Sequence, residues 1–315
     1  MPNEVVFPLA AKRIWVAGHR GMVGAATARR LASEDCEILT ASRAQVDLMD
    51  QRQTDRWVAD HKPDAIILAA AKVGGIQANQ LFPAEFLFNN LMIQANVVSA
   101  SHRHGVSKLL MLGSSCIYPR LAAQPIAEKQ LLSGPLEPTN QWYAIAKIAG
   151  VKLAESYRAQ YGCDFISAMP TNLYGPGDNF DLATSHVIPA LIRKAHEAKI
   201  ADAPEMVIWG SGAALREFLH VADCADALIH LLKRYSGDSP VNVGCGEDLT
   251  IVELAQLICA VVGYEGGVAF DASKPDGAPR KVLNVERLKS MGWRPTVPLR
   301  EGLRDTYERF LAKAS

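Results

Sequence analysis

The chain has 315 residues, 49% of them hydrophobic, and its 33 basic residues balance 33 acidic ones. That length supports one large core or two unequal lobes, and zero net charge with both signs interspersed leaves no basic face for nucleic acid or an anionic membrane. No apolar run approaches the ~18 to 20 residues that span a bilayer, and the six cysteines are widely spaced with no CxxC pair, which speaks for reduced thiols in a cytoplasmic setting and against a disulfide framework or a zinc site.

Met1 to Arg13 reads as a short arm without the basic start and long apolar core of a signal peptide. Arg13 to Ala17 is a β-rich run that enters Gly18-His19-Arg20-Gly21-Met22-Val23-Gly24, and Ala25 to Ser33 follows as a helix. Glu37 to Ala41 is the next expected strand, closing at Arg43; Thr54 to His61 is helical. Asp64 to Ala71 is a continuous apolar run of the kind buried on both faces of a parallel sheet. A helix from Ala84 to His104 precedes the strand Lys108 to Leu112, and a long helix reaching Tyr161 precedes the strand Asp164 to Met169. Strand and helix alternate throughout, which predicts an α/β fold, a Rossmann-type doubly wound parallel sheet with right-handed crossovers. After Pro170 the pattern loosens: a helix over Ser185 to Lys199, a strand over Met206 to Trp209, helices over Ala222 to Arg234 and Ile251 to Val262, and a loop over Asp271 to Gly277. The expected division is residues 1–170 for a dinucleotide and 171–315 for a smaller α/β substrate lobe, with some later segments returning to the first sheet.

Gly18, Gly21 and Gly24 stand at a strand-to-helix turn, where glycine lets backbone N–H groups approach a pyrophosphate at a helix N-terminus. The spacing is GxxGxxG, one residue longer at the front than GxGxxG, so position carries more of the argument than pattern. An acidic residue after the second strand would hold a ribose 2′-hydroxyl, whereas arginine suits a 2′-phosphate. Here Arg43 closes the strand and Arg20 lies in the turn, with Asp47 further on, so NADP(H) is expected over NAD(H).

Tyr143 and Lys147 are four apart in a helical stretch and share a face. A lysine charge beside a phenol lowers its pKa, and such a phenol can exchange a proton with a carbonyl or alcohol. Ser114, at the end of the upstream strand, can hold the same oxygen. Cys116, two residues on, is a candidate to remove a proton beside a ketone, or else a buried thiol. His186 opens a helix after a turn-rich loop and is the candidate acid for the opposite face, or else a surface histidine. Lys194, Trp209, Arg216 and Asp276 suit a nucleotide-sugar pocket, two cations for a diphosphate and a flat ring beside them.

Gly18 to Gly24, Ala69 to Ile76, Gly113 to Pro119, Tyr143 to Gly150, Met169 to Pro176, Ser185 to Pro189, Trp209 to Gly212, Arg216 to Val221 and Ala272 to Gly277 together resemble the GDP-sugar epimerase–reductases of the extended short-chain dehydrogenase/reductase family, over nearly the whole chain. The resemblance implies 3,5-epimerisation of GDP-4-dehydro-6-deoxy-D-mannose, then NADPH reduction of the carbon-4 ketone to give GDP-L-fucose. By carry-over, Ser114, Tyr143 and Lys147 handle the carbonyl, Cys116 is the base and His186 the acid. His19, Met22, Val23, Leu48, Pro170, Thr171, Asn172, Leu173, Lys147 and His186 join the glycines and arginines at the cofactor, and Lys194, Trp209, Arg216 and Asp276 meet the GDP-sugar. A homodimer packed through Ala84 to His104 and Ala144 to Tyr161 is implied as well. The stretch from Leu231 to Val241 is shorter than in some members.

Two other readings compete. A 4-epimerase or 4,6-dehydratase of the same fold would recycle a tightly held NAD; Arg43, and Ser115 with Cys116 where dehydratases place acids, argue against it. A dinucleotide sensor without catalysis would not need the set Ser114, Cys116, Tyr143, Lys147 and His186.

Overall fold

The computed structural model describes residues 4–274 and 276–314. Residues 1–3 of the N-terminal arm and Pro275 of the Asp271 to Gly277 loop lie outside the described residues. In chain order the first half runs β1 (Arg13–Ala17), α1 (Met22–Leu31), β2 (Glu37–Leu39), α2 (Gln51–His61), β3 (Ala65–Leu68), α3 (Ile76–Leu81), α4 (Pro83–Arg103), β4 (Lys108–Leu112), α5 (Gln141–Tyr161), β5 (Asp164–Pro170) and β6 (Asn172–Tyr174). The second half runs α6 (Val187–Ile200), β7 (Glu205–Trp209), β8 (Leu215–Arg216), β9 (Phe218–His220), α7 (Val221–Arg234), β10 (Val241–Val243), β11 (Leu249–Thr250), α8 (Ile251–Val262), β12 (Gly267–Asp271), β13 (Arg280–Lys281), α9 (Glu286–Ser290) and α10 (Leu299–Ala314).

Among the described residues, six strands form one parallel sheet in the order β2-β1-β3-β4-β5-β10. Successive side chains of a strand face opposite sides, and both sides are apolar here. Ile14 and Val16 of β1, with Ile67 and Leu110, meet Leu31 of α1 and Leu228 of α7. Trp15 and Ala17, with Ile66, Leu109 and Met111, meet Val58 of α2, Val97 of α4 and Ala154 of α5. The chain leaves β1 toward β2 on one side and returns to β3 on the other, so the strand order reverses there. A crevice opens at the carboxyl ends of strands at such a reversal, and ligands bind in it. A further core unites α6, α8 and α10 with β7 through Ile192, Ile258, Leu303 and Ile208.

The expected strand over Asp64 to Ala71 stops at Leu68. Ala69 N–H still reaches the Ala17 carbonyl at 2.9 Å, but beyond it the backbone runs against the glycine turn. The expected strand from Glu37 closes at Leu39 rather than Ala41. The first helix opens at Met22, inside the glycine segment, with Gly21 as its N-cap. The helix expected over Ala84 to His104 is α4, which Pro83 starts at a position where its missing N–H is harmless; the short α3, which ends at Leu81 just before it, went unread. The short strands β6, β8, β9, β11 and β13 went unread because two or three residues carry no legible alternation.

The N-terminal arm has a structural part. Val6 and Phe7 N–H groups both donate to the Lys233 carbonyl near the end of α7, and Leu9 is buried in the sheet's core.

Candidate active site

At the reversal point the backbone is too close for side chains. Gly18 has φ +96°, and a Cβ there would lie 2.5 Å from Ala70 N. A Cβ on Gly24 would lie 2.2 Å from the Gly18 carbonyl oxygen. Gly21 N–H closes the turn on Gly18 O at 3.0 Å, and α1 then presents its free N–H groups over the crevice. The buried His19 Nδ1 has no hydrogen-bond partner. A backbone cradle of this kind with positive helix-end character fits a dinucleotide pyrophosphate. Arg20 and Arg43 are exposed beside it, and Arg43 is held by Asp47 at 3.3 Å. The carboxylate expected merely to lie beyond the strand therefore orients the arginine. Leu48 is half-buried against the α2/α4 side of the core, and its carbonyl accepts from Asn96 at 2.9 Å.

Ser114 leaves β4 after Gly113 and caps a single 3-10 turn that carries Cys116, whose N–H points to Ser114 Oγ at 3.4 Å. The turn holds the hydroxyl and thiol on one edge. Across from them, Tyr143 stands in the first turn of α5, its ring edge-on to Phe86. Lys147 lies one turn on, with Nζ 5.8 Å from the Tyr143 ring centre and bonded to the Leu112 carbonyl at 2.8 Å. α5 can press this close to α4 because Gly150 has no Cβ, which would otherwise lie 2.2 Å from Gln94 Oε1.

The electrostatics correct one expectation. Lys147 does not lower the Tyr143 pKa: burial pushes the phenol well above its ordinary value, with the Cys116 charge adding to the rise. The ammonium is spent on a carbonyl and is itself depressed by burial to about 8. Tyr143 is thus a firmly protonated phenol, the form that donates to an oxygen. Burial also raises the Cys116 thiol, against the opposing pull of Lys281, Ser114 and Lys147. His186 is the N-cap of α6. Its ring is accessible from the cavity, yet surrounding protein and then Lys281 hold its pKa down, favouring neutral imidazole.

One cavity of about 440 Å³ gathers Ser114, Cys116, Tyr143, His186, Asn172 and Leu173. Its far end is lined by Lys194, Trp209, Arg216 and Asp276. Lys194 Nζ lies 5.4 Å over the Trp209 ring and bonds the Val207 carbonyl at 3.0 Å. Arg216 donates to the Asp276 carbonyl at 2.9 Å, and the Asp276 carboxylate accepts from Ser211 N–H and Oγ at 2.7 and 2.8 Å. Asp276 therefore shapes the loop that carries the arginine. Lys147, Pro170 and Thr171 stand behind the cavity wall: Thr171 N–H bonds the Val243 carbonyl at 2.9 Å, and Asn172 Nδ2 bonds the Glu217 carbonyl at 2.8 Å. Sequence reasoning missed Lys281 and Glu137, which line the same cavity; for Lys281 the signal was its place in a polar pair just after the Asp276 loop.

Ser114, Tyr143 and Lys147 beside a glycine turn on a doubly wound sheet are an arrangement suited to carbonyl and alcohol chemistry with a dinucleotide. Residues 14–244 match the model of the NAD dependent epimerase/dehydratase family, and the chain belongs to it. Within that family it is 59% identical over 310 residues to a GDP-L-fucose synthase of Sinorhizobium fredii, covering 98% of this chain and 99% of the relative. It is 53% identical to the GDP-L-fucose synthase of Escherichia coli, covering 96% of this chain and 98% of that one. A solved GDP-L-fucose synthetase from Naegleria fowleri bound to NADP superposes with a TM-score of 0.89 at 27% identity, over 99% of this chain and 97% of that one.

Proposed function

We propose that the chain converts GDP-4-dehydro-6-deoxy-D-mannose to GDP-L-fucose, inverting carbons 3 and 5 and then reducing the carbon-4 ketone at the expense of NADPH. The observation that carries this reading is the meeting, in one cavity, of a Ser114/Tyr143 carbonyl clamp, a Cys116/His186 pair and a cationic end with Arg216 and Lys194. A plain reductase has no use for the second pair. The relatives' names support the same substrate and product.

The two half-reactions share one carbonyl. Ser114 and Tyr143 hydrogen-bond the ketone oxygen, which acidifies the flanking C–H bonds and stabilises the enolate formed when a proton leaves. Cys116 removes that proton from one face, and His186 returns one from the other. Tyr143, kept as a phenol, then donates its proton to the same oxygen as the carbon is reduced. NADPH, when bound, supplies the hydride. Gly18, Gly21 and Gly24 with His19, Met22 and Val23 would hold its pyrophosphate, Arg20 and Arg43 would take the 2′-phosphate, and Leu48 would add an apolar contact. Lys147 and residues Pro170 to Leu173 would hold the nicotinamide end. Lys194 and Arg216 take the diphosphate of the GDP-sugar, Trp209 offers a ring face, and Asp276 fixes the loop.

Residues 1–170 form the cofactor domain, to whose sheet β10 returns, and 171–315 mainly the substrate lobe. The exposed apolar side chains Phe88 on α4 and Trp142 and Ile145 on α5 support a homodimer through those two helices. All six cysteines are free thiols, which supports a cytoplasmic setting; among the described residues no helix is long and apolar enough to cross a membrane.

The test is NADPH consumption with the 4-keto GDP-sugar and NMR of the product's stereochemistry, in the wild type and in Cys116→Ser. The wild type should form GDP-L-fucose, while Cys116→Ser should still oxidise NADPH but yield 6-deoxy sugars of the original D-configuration. Parallel loss of both activities in Cys116→Ser removes the proposed role, and a wild type that binds NADPH but leaves this substrate untouched refutes the assignment.

A further inference from the structure

The mechanism above leaves one cavity-lining cation unused. Lys281 lies on β13, paired in parallel with β8 so that Arg216 is its register partner. Its carbonyl accepts from Glu217 N–H at 3.3 Å. Its side chain lines the cavity alongside Cys116, Tyr143 and His186. Among the described residues its ammonium has neither an ion pair nor a hydrogen bond.

The nearby carboxylates are committed elsewhere. Glu217 accepts from Gly246 N–H at 2.7 Å and Leu283 N–H at 2.9 Å. Glu137 pairs with Arg120 at 3.2 Å. The attraction of Lys281 for Cys116 exceeds its attraction for either carboxylate, while Arg216 repels it. Cys116 in turn feels Lys281 more strongly than Lys147, whose ammonium is tied to the Leu112 carbonyl. Opposite charges shielded from bulk water in a cavity interact more strongly than in water.

We propose that Lys281 is the positioning residue of the inversion half-reaction: its ammonium shares the cavity with the Cys116 sulfur and favours, against burial, the thiolate that removes the proton beside the ketone. This rests on the reading of Cys116 as the base. In that step the substrate C–H bond breaks, an S–H bond forms on Cys116, and the electron pair moves onto the ketone oxygen as an enolate. The same positive charge opposes an imidazolium at His186. Burial still raises the Cys116 thiol and lowers the Lys281 ammonium, so thiolate with ammonium is the reacting form and not the resting one, and His186 takes from water the proton that it returns.

The experiment is a pH titration of Cys116 in the full-length protein without nucleotide, read as the thiolate ultraviolet difference between each protein and its Cys116→Ser counterpart. Iodoacetamide labelling of the Cys116 peptide, followed by mass spectrometry, gives a second readout. Lys281→Met should raise the midpoint by at least about one pH unit, as expected for removal of a nearby opposite charge. Lys281→Arg should stay near the wild type, and His186→Asn should move the midpoint far less than Lys281→Met. An unchanged midpoint in Lys281→Met, or an equal rise in His186→Asn, overturns the proposal. If Lys281→Met does not fold by circular dichroism, Lys281→Gln carries the same comparison. With the 4-keto GDP-sugar in D₂O, Lys281→Met should lose deuterium incorporation through kcat rather than KM and regain it as pH rises. A wild type that incorporates no deuterium refutes the proposed function, while the titration still decides Lys281.

Discussion

Lys147→Met should stabilise the protein at neutral pH while disabling it. The ammonium is 3% exposed and has no anionic partner among the described residues, only the Leu112 carbonyl at 2.8 Å. Its pKa falls from the ordinary 10.5 to about 8 in the folded chain. Below about pH 8 the folded state carries the full penalty of a buried charge; as pH rises toward the unfolded value the penalty vanishes, because the unfolded chain binds the extra proton. At 1.36 kcal/mol per pH unit, the gap is worth about 3 kcal/mol. Removing the amine also removes the bond to Leu112, worth about 1 kcal/mol. The net expectation is a gain of about 2 kcal/mol at pH 7 that closes and then reverses near pH 10.5. Urea denaturation of both proteins at the two pH values measures it. NADPH-dependent turnover should fall by about 10²-fold or more, the scale of lost proton-transfer support. A variant less stable than the wild type at pH 7, or a difference indifferent to pH, would show that the lysine charge is not held against its own solvation.

Three further outcomes are expected. Gly24→Ala forces a Cβ to within 2.2 Å of the Gly18 carbonyl oxygen, so NADPH affinity by fluorescence titration should drop at least about tenfold, the turn being unable to close without a backbone shift; wild-type affinity would show the turn is not the cradle. Arg43→Ala removes a guanidinium preset by Asp47 and should raise KM for NADPH by about 10- to 100-fold, as for a charged hydrogen bond, with KM for NADH unchanged; equal effects on both would place Arg43 away from the 2′-phosphate. Asp164→Asn strips the counter-charge from fully buried Lys108, whose Nζ bonds Asp164 and the Tyr235 carbonyl, both at 2.6 Å. Breaking a buried pair from one side costs about 3–5 kcal/mol and Asp164 is only partly buried, so a loss of about 2–3 kcal/mol is expected; a urea-derived loss below about 1 kcal/mol would mean that the Lys108 ammonium does not need the Asp164 charge.

The parallel sheet was legible in the sequence because its strands are buried on both faces and their apolar runs are continuous: Lys108 to Leu112 was read to the residue. The glycine turn, Ser114, Cys116 and the Tyr143/Lys147 pair were equally legible, since each depends on local spacing at the end of one strand or on one helix face. The small strands β8, β11 and β13 were not, because their pairing partners are tens of residues away and each is too short to show a period. Lys281 was lost with them.

What the sequence determined by itself, then, is the candidate groups and the alternating scaffold that presents them, because both follow from short-range periodicity. Their charge states were decided only in the folded chain. The spacing of Tyr143 and Lys147 predicts a lowered phenol, yet burial reverses the sign and turns the lysine to a carbonyl from β4. The cation nearest in effect to Cys116 comes from β13, a strand that β8 holds in register. Desolvation and the aim of a charged group depend on everything packed around them, and that is a property of the tertiary structure alone.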